Sequence, residues 1–198
     1  MSSDAQSWED VYTQNDPKTL PWNAGGPDAD LVRLFCSKRI PVGQALDIGT
    51  GPGHDAVYMI QHGFNVIGID ISPSAVTLAR ENASNAGLFG FFQVGDIRQI
   101  PVEDHFIDFA YDRGCFHTLS PEDRPKAITE VLRVLKKGGL YMLKVFSDKE
   151  PGTDGPHRFS RKELEDLFGS TYKILEFSDG IADGPRKPKC YLLLMEKK

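Results

Sequence analysis

The segment Ala45-Leu46-Asp47-Ile48-Gly49-Thr50-Gly51-Pro52-Gly53 constrains this chain more than any other stretch. It reads as an apolar strand running into a glycine turn, and the next apolar run ends on Asp70. Glycines at such a turn let the backbone bend sharply and let a ligand approach it within van der Waals contact. A carboxylate at the tip of the second strand can accept hydrogen bonds from the two hydroxyls of a ribose. Together they describe an adenosine-cofactor site. The glycines are spaced G-x-G-x-G, and His54 stands where the dinucleotide fingerprint G-x-G-x-x-G wants its third glycine. With Asp47 two positions before the first glycine, the pattern departs from that of an NAD enzyme.

The surrounding sequence supplies the frame. From Gln44 onward apolar strands alternate with helical patterns, which implies parallel βαβ units. Strands are expected over residues 45–48, 65–69, 89–94, 106–111 and 140–146. Helices are expected over 55–61, from Ser72-Pro73 onward, and from Ser120-Pro121 to Lys137, where Gly138-Gly139 would stop the last one. Residues 148–159 form a Gly/Pro-rich loop, and Ser160 with Glu163 makes a capping box for a short helix to Phe168. Strands over 172–177 and 190–195 have no helix between them and should pair as an antiparallel hairpin. Before the alternation begins, residues 1–6 are polar and expected to be loose. Residues 7–14 place Trp8, Val11 and Tyr12 at helical spacing, and residues 28–38 place Leu31, Leu34 and Phe35 on one face. The expected fold is α/β, a doubly wound, mostly parallel seven-stranded sheet with an antiparallel C-terminal hairpin. It forms a single domain over 1–198, with residues 1–40 as a helical cap segment and 41–198 as the cofactor-binding core.

In an open α/β sheet, ligands bind beyond the carboxyl ends of the strands. The glycine turn, Asp70, Asp96 and Asp112 follow four successive expected strands. Gly49 and Gly51 would admit the cofactor, Asp70 would take the ribose diol, and Ile71 would lie under one adenine face. Asp96 would accept from the adenine amine, and Ile97 would cover the other face. Asp47 has two readings, orienting the cofactor's amino group or holding the turn. His117 is the best-placed titratable side chain for an acceptor site, with a hydrogen-bonded structural histidine as the competing reading. Arg158, beside His157 in the long loop, is the second catalytic candidate, against a solvated surface role.

Residues 44 to 146 resemble the class I S-adenosylmethionine-dependent methyltransferases, through ALDIGTGPG, GIDIS, VGDI and LKKGG. A narrower likeness, carried by Trp8, Tyr12, LPWNAGGPD, DRGCFH and GPHR, is to the branch that includes thiopurine, thiol/halide and tellurite methyltransferases. The resemblance implies S-adenosyl-L-methionine as cofactor and Trp22 packed over its sulfonium end, where an aromatic face attracts positive charge. Asn23 stands where many members carry an acidic residue.

Composition narrows the partners. A net charge of -5 argues against a duplex-binding surface, which needs clustered cations. No apolar run approaches the roughly 20 residues that cross a bilayer. The three cysteines are far apart and form no C-x-x-C pair, so neither a disulfide framework nor a metal site is expected. A reduced, cytoplasmic protein is expected, a monomer or weak homodimer acting on a small molecule. A thiol, sulfide, selenide or tellurite-type acceptor is the first reading, because such groups ionise with little help. The alternatives are an oxygen or nitrogen acceptor, with His117 as base, and a cofactor-binding module that has lost turnover.

Overall fold

A computed structural model describes residues 3–198. The chain forms two compact units, one running through Asp96 and including Asp183–Arg186, the other made of Ile97–Ala182 and Lys187–Lys198. The N-terminal segment belongs to the first unit because its helix packs directly on that unit's core.

In the first unit, β1 (Gln44–Ile48), β2 (Asn65–Asp70) and β3 (Phe91–Val94) are parallel in the order β3-β2-β1. Ala45 through Ile48 are buried, as expected of a parallel strand covered on both faces. The helices are α1 (Ser3–Gln14), α2 (Ala29–Cys36), α3 (His54–Gln61) and α4 (Pro73–Asn85). Helix α1 starts earlier than expected, so Ser3 to Gln6 are helical; residues 1 and 2 lie outside the described residues. Helix α2 is shorter than expected because Asp28 is its N-cap, accepting from the backbone N–H groups of Asp30 and Leu31. Strand β3 starts two residues late: Phe89 is 97% exposed, and pairing begins at Phe91. Ser72 caps α4 and Pro73 occupies its first turn, as expected. Residues Asp183–Arg186 join this unit through Asp183, whose Oδ2 accepts from the Ala29 N–H at 2.8 Å.

In the second unit, β4 (Ile107–Arg113) runs parallel to β5 (Leu135–Phe146), while β7 (Lys189–Lys197) runs antiparallel to both β5 and β6 (Tyr172–Ile181). The C-terminal hairpin is therefore present. Helices α5 (Arg124–Val134) and α6 (Arg161–Phe168) complete it. Helix α5 does not reach Lys137. Leu135 is already extended, fully buried and paired with Ile107, so β5 begins where the helix was expected to continue. At that end the Lys197 ammonium donates to the carbonyls of Leu132 and Leu135, both at 2.7 Å. A cation on the last-turn carbonyls satisfies the helix end without the glycine pair. Gly138, at φ 74°, instead lies in an irregularity between the Ile107 and Phe109 pairings. In α6 only half the capping box forms. Ser160 Oγ accepts from Glu163 N, but the Glu163 carboxylate turns to His157 and Arg124.

Candidate functional site

The expected site residues fall into two groups, each held within its own unit. The first group lies at the carboxyl ends of β1, β2 and β3. Ile48 pairs with Ile69 and Asp70 with Val94, so these ends are level. They are also tied together, Thr50 N donating to Ile69 O and Gly95 N to Asp70 O, both at 2.9 Å. Gly49, Gly51 and Gly53 have φ of 68°, 50° and 79°, a region that other residues reach only at a steric cost. At Gly51 a Cβ would also lie 2.9 Å from the Tyr12 hydroxyl. The turn is therefore a bare backbone cradle.

Asp47 is 3% exposed, and its Oδ2 accepts from the Thr50 hydroxyl at 2.6 Å. That contact belongs to the turn-holding reading. Asp70 is 8% exposed. Its Oδ2 accepts from Gly51 N at 2.9 Å and its Oδ1 from Ser72 N at 3.0 Å. Burial raises its pKa above the ordinary carboxylate value, against the pull of these backbone donors. The Ile71 N–H also acts on this carboxylate, which as an ionised acid can accept at about four lone-pair sites. Ile71 and Asp96 are partly exposed beside it.

Above the turn sits an aromatic cluster. Tyr12, Leu20 and Ala75 form a buried core, with Trp8, Val11 and Trp22 packed against it. Trp22 Nε1 donates to Tyr12 Oη at 3.2 Å, and the Trp8 ring meets Trp22 edge-on at 5.6 Å. Asn23 ties the same segment to α3, its Oδ1 lying 3.1 Å from His54 Nε2. Sequence reasoning missed the residue that anchors α1. Glu9 carries nothing in its local context to distinguish it from any solvated helix charge, yet its carboxylate accepts from Ser72 Oγ, Ser74 Oγ and Ser74 N.

The second group follows β4. Asp112 is fully buried, and its carboxylate accepts from the N–H groups of Cys115 and Phe116 at 2.9 and 3.1 Å. Burial pushes its pKa up to about 7 despite those donors. It holds the turn, and no surface of it is open to a ligand, so direct cofactor contact by Asp112 is not what this geometry provides. His117 is 7% exposed. Phe146 N donates to its Nδ1 at 3.1 Å, and burial pushes its pKa down to about 3. Both features belong to the structural reading of this histidine. Ile97 is buried.

The long loop is pinned at its neck. His157 N donates to His117 O, Phe159 N to Phe146 O, and Asp148 N to Phe159 O. Arg158 Nη2 donates to the loop carbonyls of Asp154 and Pro151, at 2.9 and 3.3 Å. Its guanidinium braces its own loop. Beside it, His157 Nε2 lies 3.0 Å from Glu163 Oε1, while Arg124 donates to Glu163 and stacks 4.6 Å from the Phe159 ring centroid. Arg124 carried no sequence signal, since its role depends on burial.

No group of His, Cys, Asp and Glu suited to a metal occurs among the described residues. The cradle and Asp70 fit an adenosine cofactor: three glycines open the backbone beside one buried carboxylate at the strand end.

Comparison with known proteins defines the class. Residues 45–139 match the family model described as a methyltransferase domain. A solved structure described as "Conversion of a Disulfide Bond into a Thioacetal Group during Echinomycin Biosynthesis" superimposes with a TM-score of 0.88 at 24% identity, covering 98% of this chain and 93% of that one. That likeness shows the fold, and the expected seven-stranded, mostly parallel architecture with its antiparallel hairpin is the fold of this chain. A 2-heptyl-1-hydroxyquinolin-4(1H)-one methyltransferase of Mycobacteroides abscessus is 28% identical, over 89% of this chain and 84% of that protein. A probable thiol methyltransferase of Arabidopsis thaliana is 30% identical, over 92% of this chain and 79% of the relative. The chain belongs to the class I S-adenosylmethionine-dependent methyltransferases, near the thiol methyltransferase branch.

Proposed function

We propose that this enzyme methylates a small, soft nucleophile of the thiol or sulfide type, one that supplies its own anion. The observation that carries this reading is the state of His117. A histidine whose pKa is about 3 and whose Nδ1 already accepts a backbone hydrogen bond is a poor general base at neutral pH. A thiol, with a pKa near 8.5, is partly ionised at pH 7 without one.

When bound, the cofactor supplies an electrophilic methyl group on a sulfonium. The residues proposed to hold it are Gly49 and Gly51 at the backbone, Asp70 at the ribose, and Ile71, Asp96 and Ile97 around the adenine. Asp47 supports the turn, and Trp22 covers the sulfonium end. Asp112 contributes through the turn it fixes after β4. The protein's contribution is alignment and exclusion of water. Neutralisation of a thiolate by a sulfonium is favoured in a dry site, and orientation alone can be worth roughly 7–11 kcal/mol.

One observation favours a second reading, a hydroxyl acceptor. His157 Nε2 is oriented by a carboxylate, Glu163, in the manner of a general base, and one relative is named for a hydroxyquinolone. Side-by-side turnover with thiols, sulfide, N-hydroxy heteroaromatics, catechols and amines decides between them. Efficient use of a thiol or sulfide, retained in His157→Gln, supports the first reading. Efficient use of a hydroxyl acceptor, lost in His157→Gln, establishes the second.

A further inference from the structure

The aromatic cluster over the glycine turn is anchored by a carboxylate from outside the βαβ frame. Glu9, in the middle of α1, reaches the first turn of α4, more than sixty residues away in sequence. Ser72 Oγ donates to its Oε2 at 2.6 Å, Ser74 Oγ to its Oε1 at 2.6 Å, and Ser74 N to its Oε2 at 3.1 Å. An anion at a helix N-terminus is also favoured by the helix dipole. These bonds hold the Glu9 carboxyl below the ordinary glutamate pKa, so the contact is charged at neutral pH.

Ser72 is the shared element. Its backbone N–H donates to Asp70 Oδ1 at 3.0 Å, while its hydroxyl donates to Glu9. The residue bridges the carboxylate assigned to the ribose and the carboxylate that fastens α1. On that helix, Trp8 precedes Glu9 directly and Tyr12 lies one turn on. Both pack with Trp22, and the Tyr12 hydroxyl occupies the space beside Gly51 that a side chain would fill. Whatever fixes Glu9 therefore fixes the aromatic cover of the glycine turn.

We propose that Glu9 is a positioning residue for cofactor binding: it latches α1 to α4 and, through Ser72, couples the placement of the Trp8–Tyr12–Trp22 cluster to the cofactor carboxylate Asp70. The inference rests on the reading of Asp70 as the ribose residue. It predicts that loosening α1 weakens cofactor affinity without touching any residue that contacts the cofactor.

The chain provides its own probe, because Trp8 and Trp22 are its two tryptophans. The test compares wild type, Glu9→Gln, Glu9→Ala, Ser74→Ala and the double variant Glu9→Ala/Ser74→Ala. Acrylamide quenching of tryptophan fluorescence is measured in the free proteins, and S-adenosylhomocysteine affinity by calorimetry. In Glu9→Ala, quenching should rise and affinity should fall about 10-fold, the equivalent of roughly one charge-assisted hydrogen bond. Glu9→Gln, which keeps an acceptor oxygen, should recover part of both. Adding Ser74→Ala to Glu9→Ala should change neither further, since the partner is already lost. Unchanged quenching and affinity in Glu9→Ala would overturn the latch. So would additive losses in the double variant, or an affinity loss with unmoved tryptophans. The Asp70 reading fails separately: in that case Asp70→Ala keeps full affinity while the Glu9 variants still expose the tryptophans, and the coupling is then refuted while the anchoring of α1 stands.

Discussion

The backbone N–H of Phe146 donates to Nδ1 of His117 across 3.1 Å. A peptide N–H can only donate, so Nδ1 is the bare nitrogen and the ring proton sits on Nε2. The bond thus fixes the tautomer as well as the position of the ring. It also joins β5 to the turn after β4, whose other clamp is the Asp112 carboxylate.

The neutral state of His117 has a consequence for acid stability. Its pKa is about 3 in the folded protein against an ordinary 6.5. Between these values the unfolded chain binds the proton and the folded chain does not. The stability is therefore fully present above about pH 6.5 and is lost as pH falls toward 3. His117→Gln, which keeps an acceptor for Phe146 N, should lose less stability than wild type on going from pH 7.5 to pH 5, and kcat should stay within about 10-fold, short of the 10²–10⁴ of an essential base. Thermal melts at the two pH values, with turnover, check both parts.

Asp112 has the opposite sign. Its folded pKa of about 7 exceeds the ordinary 3.8, so in that window the folded state binds more protons. Its contribution to stability falls as pH rises from about 4 to 7. Asp112→Asn keeps an acceptor for Cys115 N and Phe116 N and removes the charge. It should melt at a higher temperature than wild type at pH 8 and near the wild-type temperature at pH 4. Equal melting curves for the two proteins at pH 8 would contradict the assignment.

Asp70→Ala should lose cofactor affinity and, by taking the acceptor from the Gly51 and Ser72 N–H groups, some fold stability as well. Charge-assisted hydrogen bonds are worth roughly 1.5–3 kcal/mol each, so the loss of two predicts a drop in S-adenosylhomocysteine affinity of at least 100-fold. Calorimetry that finds wild-type affinity removes Asp70 from the site.

Gly51→Ala tests the cradle from the backbone side. The residue sits at φ 50°, and its new Cβ would lie 2.9 Å from Tyr12 Oη. Left-handed backbone costs a non-glycine residue roughly 1–2 kcal/mol. Adding Tyr12→Phe should relieve the contact and leave the backbone cost, so the melting temperature should recover in part when referred to Tyr12→Phe alone, which also loses the acceptor of Trp22 Nε1. Full recovery would mean that the clash alone set the penalty.

What the sequence revealed was local. The glycine turn, Asp70 at a strand end and the Ser72-Pro73 cap each carry their signal within a few residues, because turn geometry and capping are short-range chemistry. The end of α5 was not legible. Lys136-Lys137-Gly138-Gly139 resembles a helix stop, but the helix ends where Leu135 pairs with Ile107, and the carbonyls there are taken by Lys197, at the far end of the chain. Glu9 was equally opaque, since its partners are Ser72 and Ser74. For His117 the residue type was readable and its burial was not, and burial decides whether a histidine is a base or a brace.

The central claim is that the acceptor, and not the protein, provides the nucleophilic anion. The direct test is the pH dependence of kcat/KM with two thiols of different pKa under saturating cofactor. The rising limb should move with the acceptor, its midpoint tracking each thiol's own pKa, and should be unaltered in His157→Gln and His117→Gln. A limb fixed at one pH for both acceptors, and abolished in either histidine variant, would show that a protein base generates the nucleophile.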